Sequence, residues 1–262
     1  MRKYDSGFLQ FIEDCEQIWS SHPEDYHGYP LLVGSGNPDS RILFIGKEAS
    51  TDAYDTNTIK YYQDVLKGVR EEPKWTRFRS DEEAWAKQNG KPTPPYWKNP
   101  KQTVWGNYQQ IIDIVYPEYQ KDRSQCIDFE NYAFCTELSV AYRPNSQTDD
   151  LNARLATECS LEARKRDFFR LPFFDRFDVI VIDAPGNYIA NRPGKWEIND
   201  IFHVYCPNPD LHKDLKFWVH ESTIEERPRI LIQARNFSCG VEDELIPAIA
   251  AEIRKFLASQ SQ

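Results

Sequence analysis

The sequence has few residues of the kind that build metal centres or disulfide frameworks. Its six cysteines include no C-x-x-C pair, and their spacing suits neither a zinc site nor a compact disulfide set. We therefore expect reduced, mostly buried thiols. The five histidines show no ligand-like spacing, so we predict no metal, no iron–sulfur cluster and no other cofactor.

Long apolar runs and common hydrolase signatures are also missing. No segment approaches the roughly 20 apolar residues that span a membrane, and residues 1–5 lead into a polar helix rather than an apolar signal core. These features predict a cytoplasmic protein with no membrane partner. Neither G-x-S-x-G nor H-E-x-x-H occurs, so a small-molecule hydrolase of either type lacks support.

Positive charge is scarce overall, with 32 basic against 41 acidic side chains and a net charge of -9. Such a chain is not attracted to nucleic acid over long distances, so binding would need a local basic patch. Two clusters offer one, residues 74–79 with interleaved aromatics, and Arg154 with residues 164–166. Basic residues beside aromatics suit single-stranded nucleic acid, although solvated charged faces have the same composition.

Hydrophobic periodicity predicts strands that alternate with helices. Four apolar runs read as strands covered on both faces, at residues 41–45, 132–136, 177–182 and 229–233. Residues 215–220 alternate like an edge strand, and helical spacing recurs at residues 8–19, 104–115, 150–168 and 241–257. This pattern predicts a three-layer α/β/α sandwich around a short, mostly parallel sheet of about four strands.

The chain shows no internal repeat and no linker that would divide it. We therefore predict a single α/β domain over residues 1–262, opening with an N-terminal helix. Between residues 49 and 100 the periodicity weakens. Long connections of this kind often cover a binding site, so we expect this insertion to form a lid or wall over the edge of the sheet.

Ligands of open α/β sheets bind beyond the carboxyl ends of the strands. Polar or glycine-bearing segments follow all four predicted strands, at residues 46–50, 136–139, 183–187 and 234–240. Each segment alone is weak evidence, because strand ends always need turn residues. Together they predict one cleft on which Gly46, Glu48, Glu137 and Arg235 converge.

The order and spacing of these segments resemble the uracil-DNA glycosylase-like superfamily over roughly residues 40–258. Residues 42–49 stand where that family has a strand ending in G-x-D-P or G-x-N-P, and residues 94–97 match its proline-bearing loop. Residues 135–138 occupy the slot of a strand ending in T-N or L-N. Residues 233–238 stand where the family often has H-P-S-P-L-S.

This resemblance implies roles for individual residues. Glu48 would position the attacking water or take its proton, in a pocket shaped by Gly46 and Lys47. Trp97 would stack on an extruded base. Arg235, together with Asn236 and Ser238, would hold a phosphate or stabilise the leaving group.

Two positions depart from the family pattern. Gln233 stands where the family has a histidine, and Glu137 stands where it has an asparagine, whose donor and acceptor suit the edge of uracil. An ionised Glu137 can only accept hydrogen bonds, which favours an amino-bearing base. Glu137 could instead pair with Arg143 at the sheet rim, and Glu48 could be an ordinary solvated glutamate.

Two functions follow from the resemblance. The first is a DNA glycosylase that hydrolyses the N-glycosidic bond of a damaged or modified base, which is a DNA-repair activity. The second is a catalytically inactive module that binds a nucleotide or nucleic acid on the same fold. Both make DNA or a nucleotide the expected partner. The departures and the acidic charge favour the second function, while Glu48 and the basic clusters keep the first open.

Overall fold

The structure is a computed structural model that describes residues 5–26, 33–48, 104–119, 128–139, 151–184, 198–238 and 241–260. Several predictions fall on other residues. The lid or wall at 49–100, the basic cluster at 74–79 and the stacking residue Trp97 all lie outside the described residues.

Five α-helices occur in the part of the chain that the structure describes. Asp5 caps the first helix, because its carboxylate accepts a hydrogen bond from the backbone N–H of Phe8 at 2.7 Å. The last helix starts at Leu245, later than predicted, because residues 241–244 form a turn. The helices are α1 (Ser6–Ser21), α2 (Val104–Val115), α3 (Leu151–Arg166), α4 (Ile198–Phe202) and α5 (Leu245–Ser259).

Among the residues that the structure describes, seven strands form one sheet in the order β1-β3-β2-β4-β7-β6-β5. The central four, β3, β2, β4 and β7, are parallel, and the outer three pair antiparallel. The strands are β1 (Ser35–Gly36), β2 (Ile42–Glu48), β3 (Ala133–Ser139), β4 (Val179–Asp183), β5 (Val204–Tyr205), β6 (Phe217–Ser222) and β7 (Ile230–Ala234).

The predicted α/β class with a mostly parallel sheet is confirmed, whereas the predicted number of about four strands is wrong. The four apolar runs are the four central strands. The alternating segment near residue 217 is β6, which lies between β7 and β5. Strands β1 and β5 have two residues each, and segments this short carry no readable alternation.

Each face of the sheet packs into its own hydrophobic cluster. On one face, Phe134 and Ile180 pack with Phe8 and Phe11 of α1 and with the aromatic turns at residues 168–177. On the other face, the sheet packs against α2 and α5, and this cluster includes Phe44, Val181, Tyr108 and Ile249. Much of the aromatic content is therefore core. None of the helices among the described residues is long and apolar enough to cross a membrane.

Candidate functional site

Residues from four parallel strands form one row at the carboxyl edge of the sheet. Gly46 of β2 is in register with Glu137 of β3 on one side and with Asp183 of β4 on the other. Asp183 is in turn in register with Ala234 of β7. Because residues in register on parallel neighbours project to the same face, the row lies on the α2 and α5 side.

The missing side chain of Gly46 determines where the Glu137 carboxylate lies. A Cβ atom placed on Gly46 would lie 2.8 Å from Glu137 Cδ and still closer to Oε2. Glu137 therefore leans across β2 towards β4. With strands about 4.8 Å apart, the Cα atoms of Glu137 and Asp183 are separated by roughly 10 Å. Because the Glu137 side chain crosses β2, its carboxylate covers part of that distance.

Asp183 is held by groups from α2 and from the loop after β7. The Tyr108 hydroxyl donates to Asp183 Oδ1 at 2.5 Å, and the Phe237 backbone N–H donates to Oδ2 at 3.4 Å. The Tyr108 ring stacks on Phe44, with centroids 4.1 Å apart. The Asn107 side chain donates to the Phe237 carbonyl at 3.1 Å. Helix α2 thus fixes both the carboxyl group and the loop.

Burial has the largest effect on the pKa values of Asp183 and Tyr108. It raises the pKa of Asp183 to about 7, although the hydrogen bonds from Tyr108 and Phe237 act in the opposite direction. Burial also raises the pKa of Tyr108 well above its ordinary value, and the charges of Asp183 and Glu137 add to that rise. Near neutral pH, Asp183 is therefore present in both its protonated and its ionised form, while Tyr108 keeps its proton and is neutral.

The end of β3 is anchored from the opposite face by Arg164 of α3. This side chain is fully buried. Its Nε donates to the Glu137 carbonyl at 3.0 Å, and one Nη donates to Thr136 Oγ1 at 2.9 Å. Its guanidinium carbon lies 3.6 Å from the centre of the Phe168 ring. Arg164 therefore fixes the backbone that carries Glu137.

The basic residues 164–166 do not form an exposed patch. Arg164 and Lys165 are buried. Arg166 pairs with Asp25 at 2.8 Å and with Asp167 at 2.6 Å. Two of these three side chains therefore lie inside the fold, and the third is held by two ion pairs.

The residues predicted to line the site at the end of β2 do not all project to the same face of the sheet. Glu48 is its last residue and pairs with Ser139 of β3 through the backbone, while its side chain lies outside the described residues. Lys47 precedes it by one position. Because successive side chains of a strand alternate, Lys47 projects to the face opposite the row of Gly46 and Glu137.

The predicted residues after β7 interact within their own loop. Arg235 forms an ion pair with Glu242 at 3.5 Å. The Asn236 side-chain oxygen accepts hydrogen bonds from the Ser238 backbone N–H at 2.7 Å and from its hydroxyl at 2.5 Å. All three residues lie at the same edge of the sheet as Gly46. Gln233 alternates to the other face, where it is in register with Trp218.

Sequence reasoning did not single out Asp183 or Tyr108 as site residues. Asp183 was recognisable as the polar residue that ends the most apolar strand. The family resemblance, however, gave no role to any residue of its segment. Tyr108 lies in the helix predicted at residues 104–115, and its ring packs in the apolar core. Its hydroxyl gives no sequence signal, because its partner is 75 residues away.

A separate cavity of about 370 Å³ lies at the amino ends of β4 and β7. Its lining includes Phe174, Ile201, His203 and Arg227, so it is at the opposite edge of the sheet from Asp183. In the described part of the chain, no three histidine, cysteine, aspartate or glutamate side chains gather into a possible metal site. The ionisable side chains described at the row are the carboxyl groups of Glu137 and Asp183 and the phenol of Tyr108.

No protein-family model matches the sequence, and a search of curated proteins found no matching relative. The likeness to the uracil-DNA glycosylase-like superfamily consequently remains a prediction from the motif order. The row of Glu137, Gly46 and Asp183 stands independently of that likeness.

Proposed function

We propose that the row at the carboxyl edge binds a nucleobase, and that the protein hydrolyses the N-glycosidic bond of a damaged or modified base in DNA. The observation that supports this is the placement of Glu137 and Asp183 on either side of Gly46, on one face of the sheet. Glu137 can hydrogen-bond the polar edge of a base, and the buried Asp183 lies on the same face two strands away.

In this proposal Glu137 is the residue that contacts the base. Its half-buried carboxylate lies over Gly46 and can hydrogen-bond the polar edge of a planar ligand. Glu48, at the end of the adjacent strand, accepts a proton from the attacking water. The water oxygen bonds to the anomeric carbon as the carbon–nitrogen bond breaks. The departing base keeps the electron pair and takes a proton from solvent.

Arg235 supplies the cation of the proposed site. It lies at the same edge of the sheet, within 3.5 Å of Glu242. A partly exposed ion pair of this kind contributes little free energy, so a phosphate can compete for the guanidinium. A DNA phosphate bound there would bring the sugar towards Glu48 and Glu137.

A binding module without catalysis is the second candidate. Two observations favour it: Asp183 is 1 % exposed with both oxygens hydrogen-bonded internally, and Arg235 already has an acidic partner. On this alternative the row recognises a nucleotide or nucleic-acid end, and Asp183 only stabilises the site.

We further propose a three-layer α/β/α arrangement, in which α1 and α3 cover one face of the sheet and α2 and α5 cover the other. The separate hydrophobic clusters on the two faces support it. We also propose a cytoplasmic location. The described cysteines, Cys15, Cys135, Cys159 and Cys206, are unbridged thiols, which suits a reducing compartment.

Base release from a panel of modified oligonucleotides separates the two candidate functions. A glycosylase releases free base, and Glu48→Gln lowers release on the order of a hundredfold while oligonucleotide binding persists. Arg235→Ala weakens binding as well. Glu221→Gln, an exposed position on β6, is the matched control. If no base is released but Arg235→Ala still weakens binding, the binding module is supported. If neither is seen, both proposals fail.

A further inference from the structure

We propose that the cavity at the amino ends of β4 and β7 is a second binding site, and that it takes a small organic acid with an apolar body through Arg227. The cavity lies at the edge of the sheet opposite the row, so this inference does not depend on base binding. Its volume of about 370 Å³ is at the lower end of the range of small-molecule sites. A ligand about the size of phenylacetate suits it.

The inner wall of the cavity is apolar. The rings of Phe169, Phe174 and Phe202 pack against one another with centroids 5.2 to 6.5 Å apart. Ile201 and Ile224 extend this wall. Because these side chains offer no hydrogen-bond donor or acceptor, the wall favours an aromatic ring or a branched alkyl group over a polar ligand.

Positive charge exceeds negative charge around the cavity. The lining itself is balanced, with Arg170 and Arg227 against Asp175 and Glu226. A further guanidinium, that of Arg229, lies behind the lining with its side chain 3 % exposed. Three guanidiniums are thus set against two carboxylates, so the potential at the cavity attracts an anion.

The charge of the buried Arg229 is only partly compensated. Its guanidinium donates to the backbone carbonyls of Phe174, Asp175, Phe177 and Phe202 at 2.9 to 3.3 Å. The Asp175 carboxylate is 3.9 Å away. Burial lowers the pKa of Arg229, and the charge of Asp175 only partly offsets this effect. Because carbonyl groups carry no net charge, a ligand carboxylate at the rim would stabilise this cation further.

Arg227 is the side chain that would hold the ligand carboxylate. Its Nη1 lies 2.6 Å from Asp175 Oδ1, and both side chains are about half exposed. A guanidinium carries five N–H donors in a planar fork, so its other nitrogens can bind a second carboxylate. The Arg227 backbone N–H donates to the Ile224 carbonyl at 3.2 Å, and the Ile224 N–H donates to the Ser222 hydroxyl at 3.0 Å. The rim is therefore held in place before a ligand binds.

NMR titration of the whole protein with phenylacetate and with 4-methylpentanoate tests the proposal. We expect each acid to give saturable shifts at the amides of Phe202, His203 and Arg227. The corresponding neutral amides, phenylacetamide and 4-methylpentanamide, should bind at least about tenfold more weakly, because they lack the charged group. Acetate has the charge without the apolar body and should also bind more weakly. Ile224→Ala should weaken binding of both acids about fivefold, because it removes part of the apolar wall.

Arg227→Gln should weaken binding of both acids at least about tenfold. Arg41→Gln is the matched control, because Arg41 is 45 % exposed and also pairs with an aspartate, Asp178, at 2.7 Å, but does not line the cavity. It should bind both acids as wild type does. The absence of saturable shifts with either acid, equal binding of acid and amide, or equal effects of the two arginine substitutions would each overturn the proposal.

Discussion

The carboxylate of Glu137 occupies the space that a side chain at Gly46 would fill. This relationship joins two neighbouring strands at the carboxyl edge of the sheet, and it directs an acidic group towards Asp183. A glycine inside a strand usually weakens it. Here the glycine allows a polar side chain to cross the strand, which is a feature expected of a site rather than of a core.

Replacing Gly46 by alanine should displace the Glu137 carboxylate with little effect on folding. The clash involves the flexible end of a side chain rather than backbone, so we expect the free energy of unfolding to change by less than about 1 kcal/mol. Base binding should fall at least tenfold. Denaturant unfolding and ligand titration measure the two effects.

Gly36→Ala provides the contrast for this prediction. Gly36 has φ of 90° and lies against backbone atoms of Ala133, so alanine there should destabilise the fold clearly. If Gly46→Ala costs as much stability as Gly36→Ala and leaves base binding unchanged, the relationship between Gly46 and Glu137 is structural only.

Asp183 should make stability depend on pH. Its pKa rises from 3.8 to about 7 on folding, so the folded state binds the proton more tightly than the unfolded state. The corresponding stability is present below pH 4 and is lost as pH rises to 7, by roughly 3 to 4 kcal/mol. Asp183→Asn should remove this slope between pH 5 and 7 and stabilise the protein at pH 8.

Chemical unfolding at several pH values measures the Asp183 effect, with Asp210→Asn as the control. Asp210 is an exposed aspartate with a side chain 81 % exposed, so its replacement should leave the slope unchanged. An Asp183→Asn variant with the wild-type slope would show that another group carries the dependence.

The central strands were predictable because burial on both faces leaves an apolar run that needs no partner to be recognised. Strands β1 and β5 could not be predicted, because each has two residues that pair with strands distant in the sequence, and so short a segment shows no apolar run. For the same reason, the positions of Gly46 and Glu137 could be predicted, whereas the role of Tyr108 could not. Strand ends can be located from apolar runs, whereas a hydrogen bond from a helix to Asp183 depends on packing.

Arg164 should prove structural rather than a contact for phosphate. Arg164→Met removes the donors to the Glu137 carbonyl and to Thr136 Oγ1 in a buried place, so unfolding free energy should fall by about 3 kcal/mol. Lys255→Met, at an exposed position, should change it by less than about 0.5 kcal/mol. Denaturant unfolding measures both variants. A stable Arg164→Met variant with weakened salt-sensitive DNA binding would contradict this assignment.

His220 should give the opposite pH response to Asp183. Burial lowers the pKa of His220 below its ordinary value of 6.5, while its ring is hydrogen-bonded to Asn199 at 3.2 Å. The folded state therefore favours the neutral ring, and its stability is present above pH 6.5 and lost as the pH falls. His220→Gln should reduce this acid sensitivity in thermal unfolding, whereas His22→Gln, at an exposed position, should not. Equal acid sensitivity in both variants would refute the prediction.

Backbone chemical-shift mapping with a panel of modified 2′-deoxynucleosides tests most directly whether the row is the base-binding site. We predict saturable changes at the amides of Gly46, Glu137, Asp183 and Phe237, and their loss in Glu137→Ala. Changes confined to the 370 Å³ cavity at the amino ends of β4 and β7, or saturable changes that persist in Glu137→Ala, would contradict the account.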